Sequence, residues 1–84
     1  MDYIKLIAVG QNRAKMNFCL KVNTKLKKLK KAYSERMDVP LGALRFLYDG
    51  RRIKDDDTPQ TLQMETNQII EVYYEQLGGA YGSE

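Results

Sequence analysis

Apolar and polar positions alternate in two separate runs near the start of the chain. Ile4, Leu6 and Ala8 fall on one face of the run at residues 3–9, and Met16, Phe18, Leu20 and Val22 on one face of the run at 16–22. A period of two is the signature of half-buried strands. The polar stretch between them supplies Gly10 and Asn12 as turn residues, which predicts an antiparallel hairpin with a loop of several residues. Beyond Thr24, whose hydroxyl suits an N-cap, the spacing changes to three and four. Leu26, Leu29, Tyr33 and Met37 then form the stripe of an amphipathic helix, with Lys27, Lys28, Lys30 and Lys31 on its other faces. Val39-Pro40 stops that helix, because proline drives the preceding residue toward extended geometry and lacks a donor.

Residues 44–48 read as a third strand, and Asp49-Gly50 tolerates the positive φ that a tight hairpin needs, so 51–53 becomes a short return strand. Residues 55–57 form a solvated acidic loop. Thr58-Pro59 reads as N-cap and first position of a short second helix ending near Leu62. The β-branched run at 69–74 is the last strand, with Glu71 and Glu75 on its outward face. One long helix can cover only one face of such a sheet. The pattern therefore predicts an α+β fold, a mixed sheet with one main helix lying diagonally across it.

With 84 residues and 43% hydrophobic content, the chain holds one domain and one core. No stretch has the roughly 20 apolar residues of a membrane span, and charges interrupt the start where a signal peptide is apolar. A soluble intracellular protein is expected. One cysteine, Cys19, forms no internal disulfide, which suits a reducing compartment. By strand parity Cys19 points away from Phe18 and Leu20, as a small side chain with no assigned role. There is no histidine, so the chain lacks Ser-His and Cys-His pairs and any zinc ligand set. No cofactor or metal is expected, and enzymatic activity is the least favoured class. The net charge of +3 is segregated, with lysines dense over 21–31 and acids at 55–57, 71 and 75. Such a basic face suits an acidic partner, or is the solvated side of a helix. Without an aromatic platform or groove-reading motif beside the lysines, direct nucleic-acid binding is not expected.

After the last strand come Gly78 and Gly79. Such a dipeptide is either a plain flexible tail or a segment that an enzyme draws into a narrow channel, where glycine has no Cβ to obstruct and adopts any backbone angle imposed. The element order ending in Gly-Gly resembles the ubiquitin-like β-grasp. Individual residues narrow the likeness to the SUMO (small ubiquitin-like modifier) branch: Tyr3-Ile4-Lys5-Leu6, Gly10-Gln11, Leu26-Lys27-Lys28-Leu29-Lys30, Leu44-Arg45-Phe46-Leu47, Thr58-Pro59, Met64-Glu65, Ile70-Glu71-Val72-Tyr73 and Glu75-Gln76 before Gly78-Gly79. Ubiquitin itself fits less well, because the Leu-Arg-Phe-Leu strand and the Glu-Gln before the glycines are SUMO-like.

The resemblance implies a modifier domain over 1–77 with a tail over 78–84. Its Gly79 carboxyl would be adenylated with ATP, carried as a thioester and joined to a substrate lysine by an isopeptide bond. The expected partners are SUMO-activating and SUMO-conjugating enzymes, a SUMO-specific protease, substrate proteins and proteins with SUMO-interacting motifs, in nucleus and cytoplasm, with no membrane. A protease would cut between Gly79 and Ala80, unless residues 80–84 derive from an expression vector. The resemblance further implies a groove between the second strand and the helix, with Phe18, Leu20, Leu29 and Tyr33 as apolar positions and Lys21, Lys28 and Arg36 as cations for acidic or phosphorylated flanks. From periodicity alone the four apolar residues are core. Two departures stand out. Thr66-Asn67-Gln68 replaces the usual acidic residues after Met-Glu, and Asn12-Arg13 lacks acidic character, so weaker non-covalent capture of the conjugating enzyme is expected. Ile53-Lys54-Asp55-Asp56 resembles a SUMO acceptor site, which makes Lys54 a candidate acceptor lysine or a solvated turn lysine. The alternative to a covalent modifier is a ubiquitin-like domain that only binds partners.

Overall fold

The computed structural model describes residues 2–75. Five strands and one α-helix follow the expected order: β1 (Tyr3–Val9), β2 (Lys15–Lys21), α1 (Lys27–Met37), a 3₁₀ turn (Leu41–Ala43), β3 (Leu44–Tyr48), β4 (Arg51–Arg52) and β5 (Gln68–Tyr74). The sheet order is β2-β1-β5-β3-β4. β1 and β5 run parallel in its centre, and the other pairs are antiparallel. Among the described residues no helix is long and apolar enough to cross a membrane. The fold is a ubiquitin-like β-grasp.

Alternation decides which face of the sheet meets the helix. Ile4, Leu6 and Ala8 of β1, Leu44 and Phe46 of β3, and Ile70 and Val72 of β5 are all buried, together with Leu26, Leu29 and Tyr33 of the helical stripe. Tyr33 meets Phe46 edge-on, with ring centroids 5.7 Å apart and planes at 86°, the arrangement that aromatic quadrupoles favour. β2 obeys the same parity, yet Met16, Phe18 and Leu20 are only half-buried. Its place at the sheet edge explains this, since α1 covers the sheet centre.

Three local expectations need correction. Thr24 does not cap α1. The N-cap is Leu26, with no side-chain bond, and the acidic loop supplies acceptors: the Leu26 N–H donates to the Asp57 carbonyl (2.7 Å) and the Lys27 N–H to the Asp55 carbonyl (3.2 Å). Lys30 Nζ reaches Asp55 Oδ1 at 3.0 Å, reinforcing the same junction. That bond and the ammonium charge hold the Asp55 carboxyl below its ordinary range. Its contribution to stability is present above the ordinary aspartate range and disappears as pH falls through the lowered value; because Asp55 is exposed, salt screens it. At the other end Asp38, in the left-handed region (φ 57°), stops the helix, its N–H donating to Glu35 and that of Val39 to Ser34. This is a Schellman ending, with Pro40 two residues behind it.

The second correction concerns residues 58–63, which form successive turns and not a short second helix. The Leu62 N–H bonds Thr58, that of Gln63 bonds Gln60 and that of Met64 bonds Pro59, spacings of four, three and five that cannot propagate as one helix. Gln63 at φ 55° ends the run. The capping part of the expectation does hold, because Thr58 Oγ1 accepts from the Thr61 N–H at 3.0 Å. Thr58→Ala should therefore cost about 1 kcal/mol of unfolding free energy, read as a lower urea midpoint with an unchanged slope. Thirdly, the return strand is two residues long, β4, and Ile53 lies just past it, buried, with its N–H donating to Phe46. The turn before it has positive φ at both Asp49 (53°) and Gly50 (78°), the I′ geometry that matches strand twist.

Candidate functional site

β2 is an edge strand, so one row of its backbone donors and acceptors has no strand partner among the described residues. An edge of this kind can accept an extended peptide as an added strand. The expected groove residues divide into two layers. Phe18 and Leu20 are half-exposed, whereas Leu29 and Tyr33 are only 2% and 3% exposed and belong to the core. They back the groove from beneath; Phe18 and Leu20 are the ones a ligand could touch. Helical spacing cannot make this distinction, because both layers share one apolar stripe.

Lys21, Lys28 and Arg36 are exposed, and among the described residues none of them forms an ion pair. Lys28 and Arg36 lie about 12 Å apart along the helix, eight residues at 1.5 Å each. Lys21 ends β2 opposite Tyr3, on the sheet face turned away from the helix, its ammonium 6.0 Å from the centre of the Tyr3 ring. Lys28 and Arg36 therefore stand on the helix side of the β2 edge and Lys21 on its other side, and the three do not cluster at one point. Cys19 is exposed and pairs with Lys5 on the sheet face opposite the helix, as parity predicts.

The exit of the chain from the domain is held by three contacts. The Tyr74 N–H donates to Gln11 Oε1 at 2.6 Å, the Glu75 N–H to the Ala43 carbonyl at 2.8 Å, and Arg52 Nη2 to Glu75 Oε1 at 3.2 Å. Gln11, in the motif Gly10-Gln11, and Arg52 are far apart in sequence and hold the chain at the successive residues Tyr74 and Glu75. Gly10 also sits against the Tyr33 hydroxyl, which a Cβ would approach to 2.7 Å. Burial, and secondarily the charge of Tyr74, pushes that hydroxyl above its ordinary pKa, so it stays protonated. The expected conjugation and processing residues Gly78, Gly79 and Ala80, and the domain boundary after 77, lie outside the described residues.

At the departures from the acidic pattern, Thr66 and Asn67 make a turn that docks on β1. Thr66 Oγ1 accepts from the Lys5 N–H (3.2 Å), and the Asn67 N–H donates to the Lys5 carbonyl (2.6 Å) with Asn67 at φ 68°. Asparagine tolerates that conformation. Lys54 is exposed, its N–H bound to Asp57 Oδ2 at 2.8 Å, while the Ile53 before it is buried at 2% exposure. Among the described residues no group of His, Cys, Asp and Glu is placed to hold a metal ion.

A family model described as "Ubiquitin-2 like Rad60 SUMO-like" matches residues 4–74. The Small ubiquitin-related modifier of Caenorhabditis elegans is 55% identical over 78 residues, covering 93% of this chain and 86% of that protein. In the crystal structure of the UBL domain of Plasmodium falciparum Dsk2 the same fold recurs with a TM-score of 0.77 over 87% of this chain and 99% of that one; at 16% identity this likeness concerns the fold alone. The chain belongs to the SUMO family of ubiquitin-like proteins, which are modifiers and not enzymes.

Proposed function

We propose that the protein is joined through the Gly79 carboxyl to lysine amines of other proteins and is then read by short apolar-acidic peptides at the β2 edge. The observation that carries the first half is the fixed exit at Tyr74 and Glu75. Gly79 lies four residue steps beyond Glu75, a reach of at most about 14 Å, so an enzyme gripping the globular body knows where the carboxyl can be. Activation requires that carboxylate to attack the α-phosphate of ATP with loss of pyrophosphate. An enzyme thiolate then displaces AMP, and a lysine amine finally displaces the thiolate. The thiolate and amine attacks both occur at the Gly79 carbonyl, whose own residue carries no side chain.

The test is intact mass after incubation with a SUMO-processing protease, followed by ATP and the activating enzyme. Loss of residues 80–84 and a reducible thioester are expected. A trimmed chain that forms no thioester but still binds apolar-acidic peptides would make this a binding domain only.

The second half rests on the half-exposed Phe18 and Leu20, with Lys28 and Arg36 on the adjoining helix and Lys21 at the end of the strand. Phe18→Ala should weaken an apolar-acidic peptide about 10-fold, roughly 1.4 kcal/mol, and Lys28→Glu should weaken it further when the peptide's flank is phosphorylated. Calorimetry on folded variants decides it; affinities within twofold of the parent would remove the groove assignment. For Lys54, burial of Ile53 leaves only the lysine and the acids of the acceptor-like motif open to an enzyme. We accordingly favour its role as a solvated turn lysine.

A further inference from the structure

Tyr33 is only 3% exposed, yet among the described residues its hydroxyl makes no hydrogen bond. A buried tyrosine hydroxyl ordinarily finds a partner. This one lies beside Gly10, at a surface cavity of about 210 Å³ whose other walls are Gln11, Asn12, Met37 and Tyr74. We infer that the cavity receives a tyrosine side chain of a partner protein, the incoming phenol hydroxyl bonding to that of Tyr33.

The loop that forms one wall is fixed by its own hydrogen bonds. The Gly10 N–H donates to the Ala14 carbonyl (3.0 Å), the Arg13 N–H to the Gly10 carbonyl (2.9 Å) and the Ala14 N–H to Asn12 Oδ1 (3.1 Å). Gly10 keeps the hydroxyl open to approach. A Cβ at that position would stand 2.7 Å from the Tyr33 hydroxyl and 3.2 Å from Asn12 Oδ1, filling the space between them. The cavity is smaller than the roughly 300–1,000 Å³ of pockets for drug-sized ligands, so it takes a single ring with the rest of the partner outside. Gln11, Asn12 and Tyr74 are exposed at its mouth.

The lining selects both the ring and its substituent. Met37 and Tyr74 offer a thioether and an aromatic face, surfaces on which a ring packs well. The amide oxygens of Gln11 and Asn12 already accept from the backbone N–H groups of Tyr74 and Ala14, so their amino groups are what remains to offer. Tyr33, kept protonated by burial and secondarily by Tyr74, adds another donor. An acceptor on the ligand is required. Among the described residues no lysine or arginine lines the cavity, so a carboxylate would enter without a counter-charge, whereas a phenol hydroxyl accepts a bond while staying neutral. Phenylalanine would leave the Tyr33 hydroxyl unpartnered. No β2 residue lines the cavity among those described, which separates it from the edge groove, and the inference stands whether or not the chain is conjugated.

The experiment is an NMR titration of the full chain with N-acetyl-tyrosinamide, beside N-acetyl-phenylalaninamide. The tyrosine probe should shift the amides of Gln11, Asn12 and Tyr74 and bind about 5-fold tighter than the phenylalanine probe. Tyr33→Phe removes a hydroxyl that has no partner in the free protein, so the variant should melt no lower than the parent and reduce the preference to below about twofold. Absent or equal binding of the two probes, shifts confined to Phe18, Leu20 and Lys28, or a Tyr33→Phe variant that melts lower or keeps the preference would each overturn the inference. Tighter binding of the tyrosine probe by Tyr81→Ala would overturn it too, by assigning the cavity to the chain's own tyrosine.

Discussion

A chain ending at Gly79 should form a thioester with the activating enzyme and ATP, whereas a chain ending at Leu77 should form none detectable, a loss of more than about 100-fold. The reasoning is geometric. Removing two residues withdraws the carboxyl by about 7 Å, while Tyr74 and Glu75 remain pinned by Gln11, Ala43 and Arg52 and cannot slide forward. Displacements of even 1 Å are costly where reacting atoms must be aligned. The shortened chain keeps every contact described for the domain, so its melting temperature and groove-peptide affinity should not change. A thioester formed equally well by both chains would mean that activation does not use Gly79.

Leu6→Ala should cost about 3 kcal/mol, at the middle of the range for emptied core sites. Leu6 is fully buried, and β1 carries it between β2 and β5, opposite Phe18 on one side and Gln68 on the other. Domains of this size have only about 5–10 kcal/mol in total, and each kcal/mol shifts Tm by roughly 4–8 °C. A fall of about 12–24 °C is therefore expected by calorimetry. Ile69→Ala, on the opposite face and half exposed, should change stability by no more than about 0.5 kcal/mol. If the two substitutions destabilise equally, the assignment of inner and outer faces is wrong.

Both substitutions test a parity that was readable in the residues themselves. The alternation of Ile4, Leu6 and Ala8 and the three-four stripe from Leu26 to Tyr33 each predicted the buried face correctly, because one periodicity decides many contacts at once. What could not be read was long-range. The helix N-terminus takes its acceptors from Asp55 and Asp57, so Thr24, a good cap by type, stands idle. The 3₁₀ turn at Leu41–Ala43 carries no periodicity over so few residues. At the groove, periodicity favoured core for all four apolar residues and family resemblance favoured a surface; Leu29 and Tyr33 are core and Phe18 and Leu20 half-exposed.

Placing the final strand between β1 and β3 has a consequence for synthesis. A nascent chain that has not yet delivered β5 lacks the middle of its sheet, so β1–β2 and β3–β4 remain two hairpins with no common ladder. Contacts spanning such sequence distances form late. Folding must await delivery of β5, and fragments released before it possess no stable body.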